Sequence, residues 1–225
     1  HHSSAASDVY KRQVIFDDKI FNVIDTAGVP RKKQKEQIDR YASNLSIYSL
    51  ETSLIAFVVV DSTQGINFED MRLINESINN YCTPILIMNK WDLLNEDEKL
   101  RINSTLNSHL KKFNWIKVIR ISALTKKGLD KFSKTINEIY LQLDLRIDTS
   151  DLNLFFRELW VSSPPHPFRG RRAKLKYVTQ YDTNPPSFSF NLSSRIPKNY
   201  EAFIENKIRK EFKFSNVSML LKFKN

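Results

Sequence analysis

The run Ile85-Leu86-Ile87-Met88 constrains the fold more than any other stretch of the chain. Consecutive apolar residues leave no polar face, so a strand built from them is covered on both sides. Sheets covered on both faces are mainly parallel, with helices packed above and below. The flanking segments agree with this. Residues 55–61 and 115–121 read as further strands. Residues 68–80, 96–112 and 128–143 read as helices; in the first, Met71, Leu73, Ile74 and Ile78 fall near a 3.6-residue period. Upstream, 14–16 and 20–24 flank the polar Asp17-Asp18-Lys19 and read as two strands around a tight turn. Strands alternate with helices, which predicts an α/β domain with a mainly parallel sheet.

Three polar motifs follow directly on predicted strands. In such sheets ligands bind beyond the carboxyl ends of the strands. The central one is Asn89-Lys90-Trp91-Asp92. The Asp92 carboxylate accepts two hydrogen bonds, which suits the adjacent ring N–H and exocyclic amine of guanine; adenine has no such pair. Each hydrogen bond to a charged group is worth about 1.5–3 kcal/mol, so the discrimination is strong. Lys90 has a methylene stem to lay over a base plane, and Asn89 an amide to bridge base and backbone. The second motif is Asp25-Thr26-Ala27-Gly28. An Asp there holds a metal through water, and Gly28 admits a backbone N–H close to a terminal phosphate. The third is Ser122-Ala123-Leu124. A basic stretch from Arg31, then helical character to about Thr52, reads as a switch region beside the phosphate position.

The chain has 225 residues, enough for one large domain or two ordinary ones. Cys82 is the only cysteine, so no intrachain disulfide forms; this fits a cytoplasmic protein. No apolar run approaches a membrane span, so no membrane partner is expected, and no DNA. His109 and His166 lack metal-ligand partners at suitable spacing, and no Ser/His/Asp or Cys/His constellation stands out. Charge is uneven: residues 151–225 hold 14 Lys/Arg against 6 Asp/Glu, most of the chain's net +10. A basic carboxyl-terminal third beside a near-neutral first part points to a polyanionic partner for that third.

That third has its own pattern. Residues 146–150 form a joint. A helix over 151–161 presents Leu152, Phe155 and Leu159, extended by Phe156 and Trp160, and is stopped by Pro164, Pro165 and Pro167. Gly170-Arg171-Arg172 leads through Lys174 and Lys176 into a strand. Asn184-Pro185-Pro186 is a turn before a strand over 187–191. A helix over 197–212 and a strand over 219–223 complete α-β-β-α-β. The aromatics at 155–160 read as core rather than base-stacking platforms.

The first thirteen residues, His1 to Gln13, have no periodicity and read as a tail without an element; residues 3–13 resemble an in-frame translation of a sequencing adapter. The resemblances that follow imply an organisation of tail 1–13, partial GTPase domain 14–146 and KH-like domain 147–225. The motifs at 25–28, 89–92 and 122–124 resemble the third, fourth and fifth motifs of a Ras-like GTPase. The second part, through Gly170-Arg171-Arg172, Lys174, Tyr177, Asn184-Pro185-Pro186, Pro197, Tyr200 and Arg209-Lys210, resembles the KH-like domain of the EngA/Der family of bacterial ribosome-biogenesis GTPases. Ser215-Asn216-Val217-Ser218 departs from the Gly/Pro-containing turn usual there.

The resemblance implies GTP/GDP and Mg²⁺ as ligands, with K⁺ stimulation, and Asp25 and Gly28 as catalytic-site residues, Asp25 holding Mg²⁺ through water. It implies nucleotide contacts from Asp25, Thr26, Ala27, Gly28, Asn89, Lys90, Asp92, Ser122 and Ala123. Ala123 N–H would meet the guanine carbonyl, and Ser122 would steady the base-reading Asp. It further implies a monomer that assembles the large ribosomal subunit, with Arg171, Arg172, Lys174 and Lys176 toward rRNA. Glycine stands only at 28, 65, 128 and 170, so the sequence contains neither a Gly-X-X-X-X-Gly-Lys-Ser/Thr phosphate loop nor a Gly-X-X-Gly clamp. Val29 stands where Ras carries its water-positioning Gln. The expected fold is therefore an incomplete Ras-like P-loop domain, first strand missing and a gap left in mid-sheet, whose 225 residues alone neither bind GTP tightly nor hydrolyse it. Two alternatives stand beside this: an Era-type GTPase, disfavoured by Ala27 and the absent Gly-X-X-Gly, and an RNA-binding module with a degenerate G domain.

Overall fold

The computed structural model describes residues 10–16, 19–25 and 49–225. Residues 1–53 and 54–225 form separate units. In the first, β1 (Tyr10–Phe16) and β2 (Lys19–Asp25) make an antiparallel hairpin with Phe16 opposite Lys19 and Tyr10 opposite Asp25. The strand thus starts ahead of Val14, which corrects the expectation of an element-free tail through Gln13. Ladder hydrogen bonds join backbone groups, so a polar run such as Lys11-Arg12-Gln13 is admitted wherever a partner strand continues. Thr26, Ala27, Gly28 and the switch segment up to residue 48 lie outside the described residues, as does the Asp25 side chain.

The second unit begins with three parallel strands, β3 (Ile55–Asp61), β4 (Thr83–Asn89) and β5 (Lys117–Arg120), in the order β3-β4-β5. Three helices follow them: α1 (Phe68–Asn79), α2 (Glu96–His109) and α3 (Leu129–Leu143). The starts of α1 and α2 are written locally. Asn67 and Asp70, and Asn95 and Glu98, form reciprocal capping boxes at 2.8–2.9 Å. The expected helix to residue 112 stops sooner: Leu110 caps it, and a 3-10 turn over Lys111–Phe113 shortens the next strand to four residues.

Strand alternation sorts the β4 side chains. Leu86 and Met88 join Val58, Val60, Ile74, Leu106 and Leu110 on one face. Ile85 and Ile87 join Ile119, Ile121, Ile139 and Leu143 on the other. Both faces are covered, which is why the run is apolar throughout. On the second face β3 is less covered: Phe57 and Val59 are 40% and 57% exposed. Among the described residues no strand pairs with its outer edge.

The second face does not end with α3. The same buried cluster continues through Leu152, Phe156, Leu159, Phe188, Phe190 and Ile204. These belong to α4 (Thr149–Ser162), β6 (Leu175–Thr183), β7 (Pro186–Leu192) and α5 (Lys198–Glu211), followed by β8 (Leu220–Lys224). The sheet order is β6-β7-β8, antiparallel then parallel, giving the expected α-β-β-α-β. Phe156 is fully buried, and Phe155 packs edge-on against it and Phe212.

The joint is fastened rather than loose. Gln180 accepts from Ile147 N and donates to the Leu145 carbonyl, both at 2.8 Å. Asn153 donates to the Val178 carbonyl and accepts from its N–H, both at 2.9 Å, pairing part of the edge of β6 as a strand would. At the other side, Ser218 N donates to Thr83 Oγ1 (3.0 Å), Ser218 Oγ to the Cys82 carbonyl (3.0 Å), and Asn216 Nδ2 to the Trp115 carbonyl (2.6 Å). The departure at 215–218 noted in the sequence is thus an inter-domain fastening. Among the described residues no helix is long and apolar enough to cross a membrane.

Candidate functional site

Register brings the strand ends together. Asp61 lies opposite Asn89 in the β3–β4 pair, and Met88 opposite Arg120 in the β4–β5 pair. The ladder runs one step further, with Ile121 N donating to the Met88 carbonyl and Trp91 N to the Ile121 carbonyl. The 89–92 and 122–124 motifs therefore meet in one corner.

Asn89 joins them. Its side-chain oxygen accepts from Lys90 N at 2.8 Å and from Ala123 N at 3.0 Å. Two backbone N–H donors require the oxygen at that position, which leaves the NH₂ as a donor. Lys90 has φ +60°, a left-handed backbone that turns the chain off β4. Its ammonium lies 2.7 Å from Asp61 Oδ2, while Asp61 Oδ1 caps the following 3-10 turn through Thr63 N and Oγ1. Bonds from Lys90 and Thr63 hold the Asp61 carboxyl well down, at about 2. Asp92 is exposed in the 3-10 turn Trp91–Leu93, with no hydrogen-bond partner among the described residues. Its four lone-pair sites are open to an incoming pair of donors.

The third motif is shaped by a close approach. Ser122 is buried, its N–H donates to the Lys127 carbonyl, and its Oγ accepts from Thr125 N at 3.1 Å. Gly128 closes the loop at φ +79°, and a Cβ there would stand 2.4 Å from the Arg120 carbonyl oxygen. Only glycine fits, so the start of α3 is pinned under the end of β5. The guanidinium of Arg120 lies 5.2 Å from the Trp91 ring centroid, bracing the turn that carries Asp92.

The structure thus assembles Asn89, Lys90, Asp92, Ser122 and Ala123 into one corner. Ala123 N–H is engaged by Asn89, and Ser122 Oγ by Thr125. Asp25 ends β2, and Thr26, Ala27 and Gly28 fall outside the description. No group of three His, Cys, Asp or Glu able to hold a metal occurs among the described residues. Asp61, which no sequence motif singled out, is tied to Lys90 at this corner. Its signal was available: it ends a predicted strand, like Asp25 and Asn89.

The basic residues lie elsewhere, beside α4. Phe168 and Arg171 exchange backbone hydrogen bonds across a two-residue turn in which Arg169 and Gly170 both have positive φ. Arg171, Arg172, Lys174 and Lys176 are all exposed, with no ion pair among the described residues.

A parallel sheet whose strand-end motifs gather in one corner is the architecture of a nucleotide-binding domain. Residues 4–142 match the elongation factor Tu GTP-binding domain, a match that starts within the segment set aside as a tail. That match covers more than half of the chain, which therefore belongs to this family of GTP-binding domains, and residues 146–224 match the C-terminal KH-domain-like domain of EngA bacterial GTPases. GTPase Der of Chlorobium luteolum is 36% identical over 90% of this chain and 48% of its own length. GTPase Der of Chlorobium limicola is 33% identical over 96% of this chain and 51% of its own. The chain therefore spans about half the length of these curated relatives. A crystal structure of Aquifex aeolicus Era is 17% identical, with TM-score 0.47, over 96% of this chain and 82% of that one; at that score the likeness carries no argument.

Proposed function

We propose that this chain carries the base-reading half of a guanine-nucleotide site and a rigidly attached RNA-facing domain, in a GTPase that acts on the large ribosomal subunit in the cytoplasm. The observation that carries the first part is the corner itself: Asn89 bridging Lys90 and Ala123 beside the exposed Asp92 carboxylate. Asp92 reads the guanine ring N–H and amine, the Asn89 NH₂ donates to the ring, and the Lys90 stem lies over the base while its ammonium is tethered to Asp61.

GTP, when bound, supplies the phosphoryl bond that is hydrolysed. Asp25 would hold Mg²⁺ through water, Thr26, Ala27 and Gly28 would serve the terminal phosphate, and K⁺ would assist. The charge of residues 151–225 and the exposed Arg171, Arg172, Lys174 and Lys176 support rRNA as the partner. The protein acts as a monomer. The 225 residues contain no phosphate loop, so their own affinity for GTP is weak and they do not turn it over.

The test is amide NMR of the 225-residue chain titrated with GDP and with ADP. GDP is expected to shift Lys90–Asp92 and Ala123, with ADP leaving them in place. Equal responses, or none at millimolar nucleotide, would remove the base-reading assignment. Tight GTP binding or turnover by this chain would overturn the inactivity proposal.

A further inference from the structure

The most distinctive surface outside the nucleotide corner is a cleft of about 450 Å³ where the last turns of α4 meet the entry to β6. Its floor is apolar: Trp160, Val161, Pro164 and Leu175. Its rim is cationic: Arg157, Arg172 and Lys174. No carboxylate lines it. All three cations are exposed and have no ion pair among the described residues. Val161 is 85% exposed and, with Trp160 and Leu175, leaves apolar surface open to solvent beside the three cations.

The walls are held in place. Trp160 Nε1 donates to the Ala173 carbonyl at 3.1 Å, tying α4 to the segment before β6. Lys174 N donates to Ser193 Oγ at 2.8 Å, and Ser193 N returns a bond to the Lys174 carbonyl at 2.9 Å. Tyr200 reaches the Ser163 carbonyl at 2.6 Å and packs edge-on against Trp160; burial pushes its phenol up to about 12, so it stays a donor. The rim cation Lys174 and the floor residue Trp160 are thereby each held by a hydrogen bond to the backbone or side chain of a neighbouring element.

We infer that this cleft binds a single-stranded RNA segment, with phosphates on Arg157, Arg172 and Lys174 and an unstacked base on the Trp160–Val161–Leu175 floor. The inference rests on the reading of the basic domain as RNA-facing and assigns that reading a place. An RNA duplex offers phosphates and 2′-hydroxyls but keeps its bases stacked, so it would leave the apolar floor unused. A single strand presents both chemistries at once: backbone charge for the rim and a base face for the floor. The cleft does with side chains what this chain has no Gly-X-X-Gly loop to do with backbone.

The experiment is fluorescence anisotropy of the full 225-residue chain with a 5′-labelled 12-nucleotide single-stranded RNA over a range of salt. A duplex RNA and polyglutamate serve as competitors. Arg172→Ala/Lys174→Ala is expected to weaken the single strand roughly tenfold and to reduce its salt slope by about 1.4, two single-strand phosphate contacts. Lys198→Ala/Lys210→Ala, outside the cleft, is expected to change neither. Val161→Asp is expected to weaken the single strand while leaving the melting temperature in place, since Val161 is exposed. If the Lys198/Lys210 pair matters and the Arg172/Lys174 pair does not, the chain binds RNA elsewhere, and the cleft is refuted while the RNA reading stands. If the wild-type chain binds no RNA, both fall. If polyglutamate displaces the strand at lower concentration than the duplex, the cleft is an acidic-peptide site and the inference is overturned.

Discussion

Arg209 is where a single substitution should tell most about this molecule. It lies on α5 and is 8% exposed, with its guanidinium 4.2 Å from the Trp115 ring centroid. Nη1 donates to the carbonyls of Phe214 (3.1 Å) and Val217 (2.7 Å); Nε and Nη2 both reach Glu205 Oε1. The charge survives burial because every edge of the fork is used. Burial pushes its pKa down, and Glu205 opposes the shift.

Arg209→Ala strips donors from two carbonyls in a dry place, at about 1–3 kcal/mol each. It also removes a desolvated cation–π contact of about 1–2 kcal/mol. Glu205 is partly exposed and regains water, so its loss adds little. Together these span about 3–8 kcal/mol; local relaxation favours the lower part, about 3–5 kcal/mol, the usual range for breaking a buried charged network. For a unit of this size that corresponds to a melting-temperature drop of about 10 °C. Calorimetry on the wild type and the variant reads it directly. Arg209→Lys keeps the charge but not the fork, and is expected to recover less than half of the loss. A cycle with Trp115→Ala should show coupling of about 1 kcal/mol across the domain boundary. A drop below 3 °C for Arg209→Ala would mean that the fastening is incidental.

Three further outcomes follow from the nucleotide corner. Asp92→Asn exchanges an acceptor for a donor where guanine presents its amine; guanosine binding should fall at least roughly tenfold, and xanthosine, with an oxygen there, should be preferred in competition NMR. Gly128→Ala forces a Cβ onto the Arg120 carbonyl at positive φ, and should lower stability by about 2–4 kcal/mol in urea unfolding and broaden Ala123 and Thr125 amide signals. The Asp61 carboxyl is depressed from 3.8 to about 2, so its contribution is present above pH 4 and lost as pH falls toward 2. Because Lys90 is half exposed the pair is worth at most about 1 kcal/mol; Lys90→Met should lower the neutral plateau by up to that amount and flatten the acid limb, leaving the stability near pH 2 unchanged.

The sequence by itself determined the order of elements and the places where chemistry would gather. Periodicity marked the helices, and the apolar run of β4 demanded cover on both faces. The polar motifs after β4 and β5 had to emerge at one edge, because parallel strands share a direction. These are local properties, written within a few residues of one another. The shortened β5 and the early start of β1 were illegible, since backbone pairing and a 3-10 turn answer to partners rather than to side-chain pattern.

Only the tertiary structure decided who meets whom. Asn89 finds Ala123 and Lys90 finds Asp61 because the registers of β3, β4 and β5 bring those strand ends level. Arg209 sits on Trp115, and Ser218 on Thr83 at the opposite end of β4 from the guanine corner. Arg157 comes to share a cleft with Arg172 and Lys174. No spacing in the chain announces such pairs, because each is fixed by the summed geometry of every element between its partners.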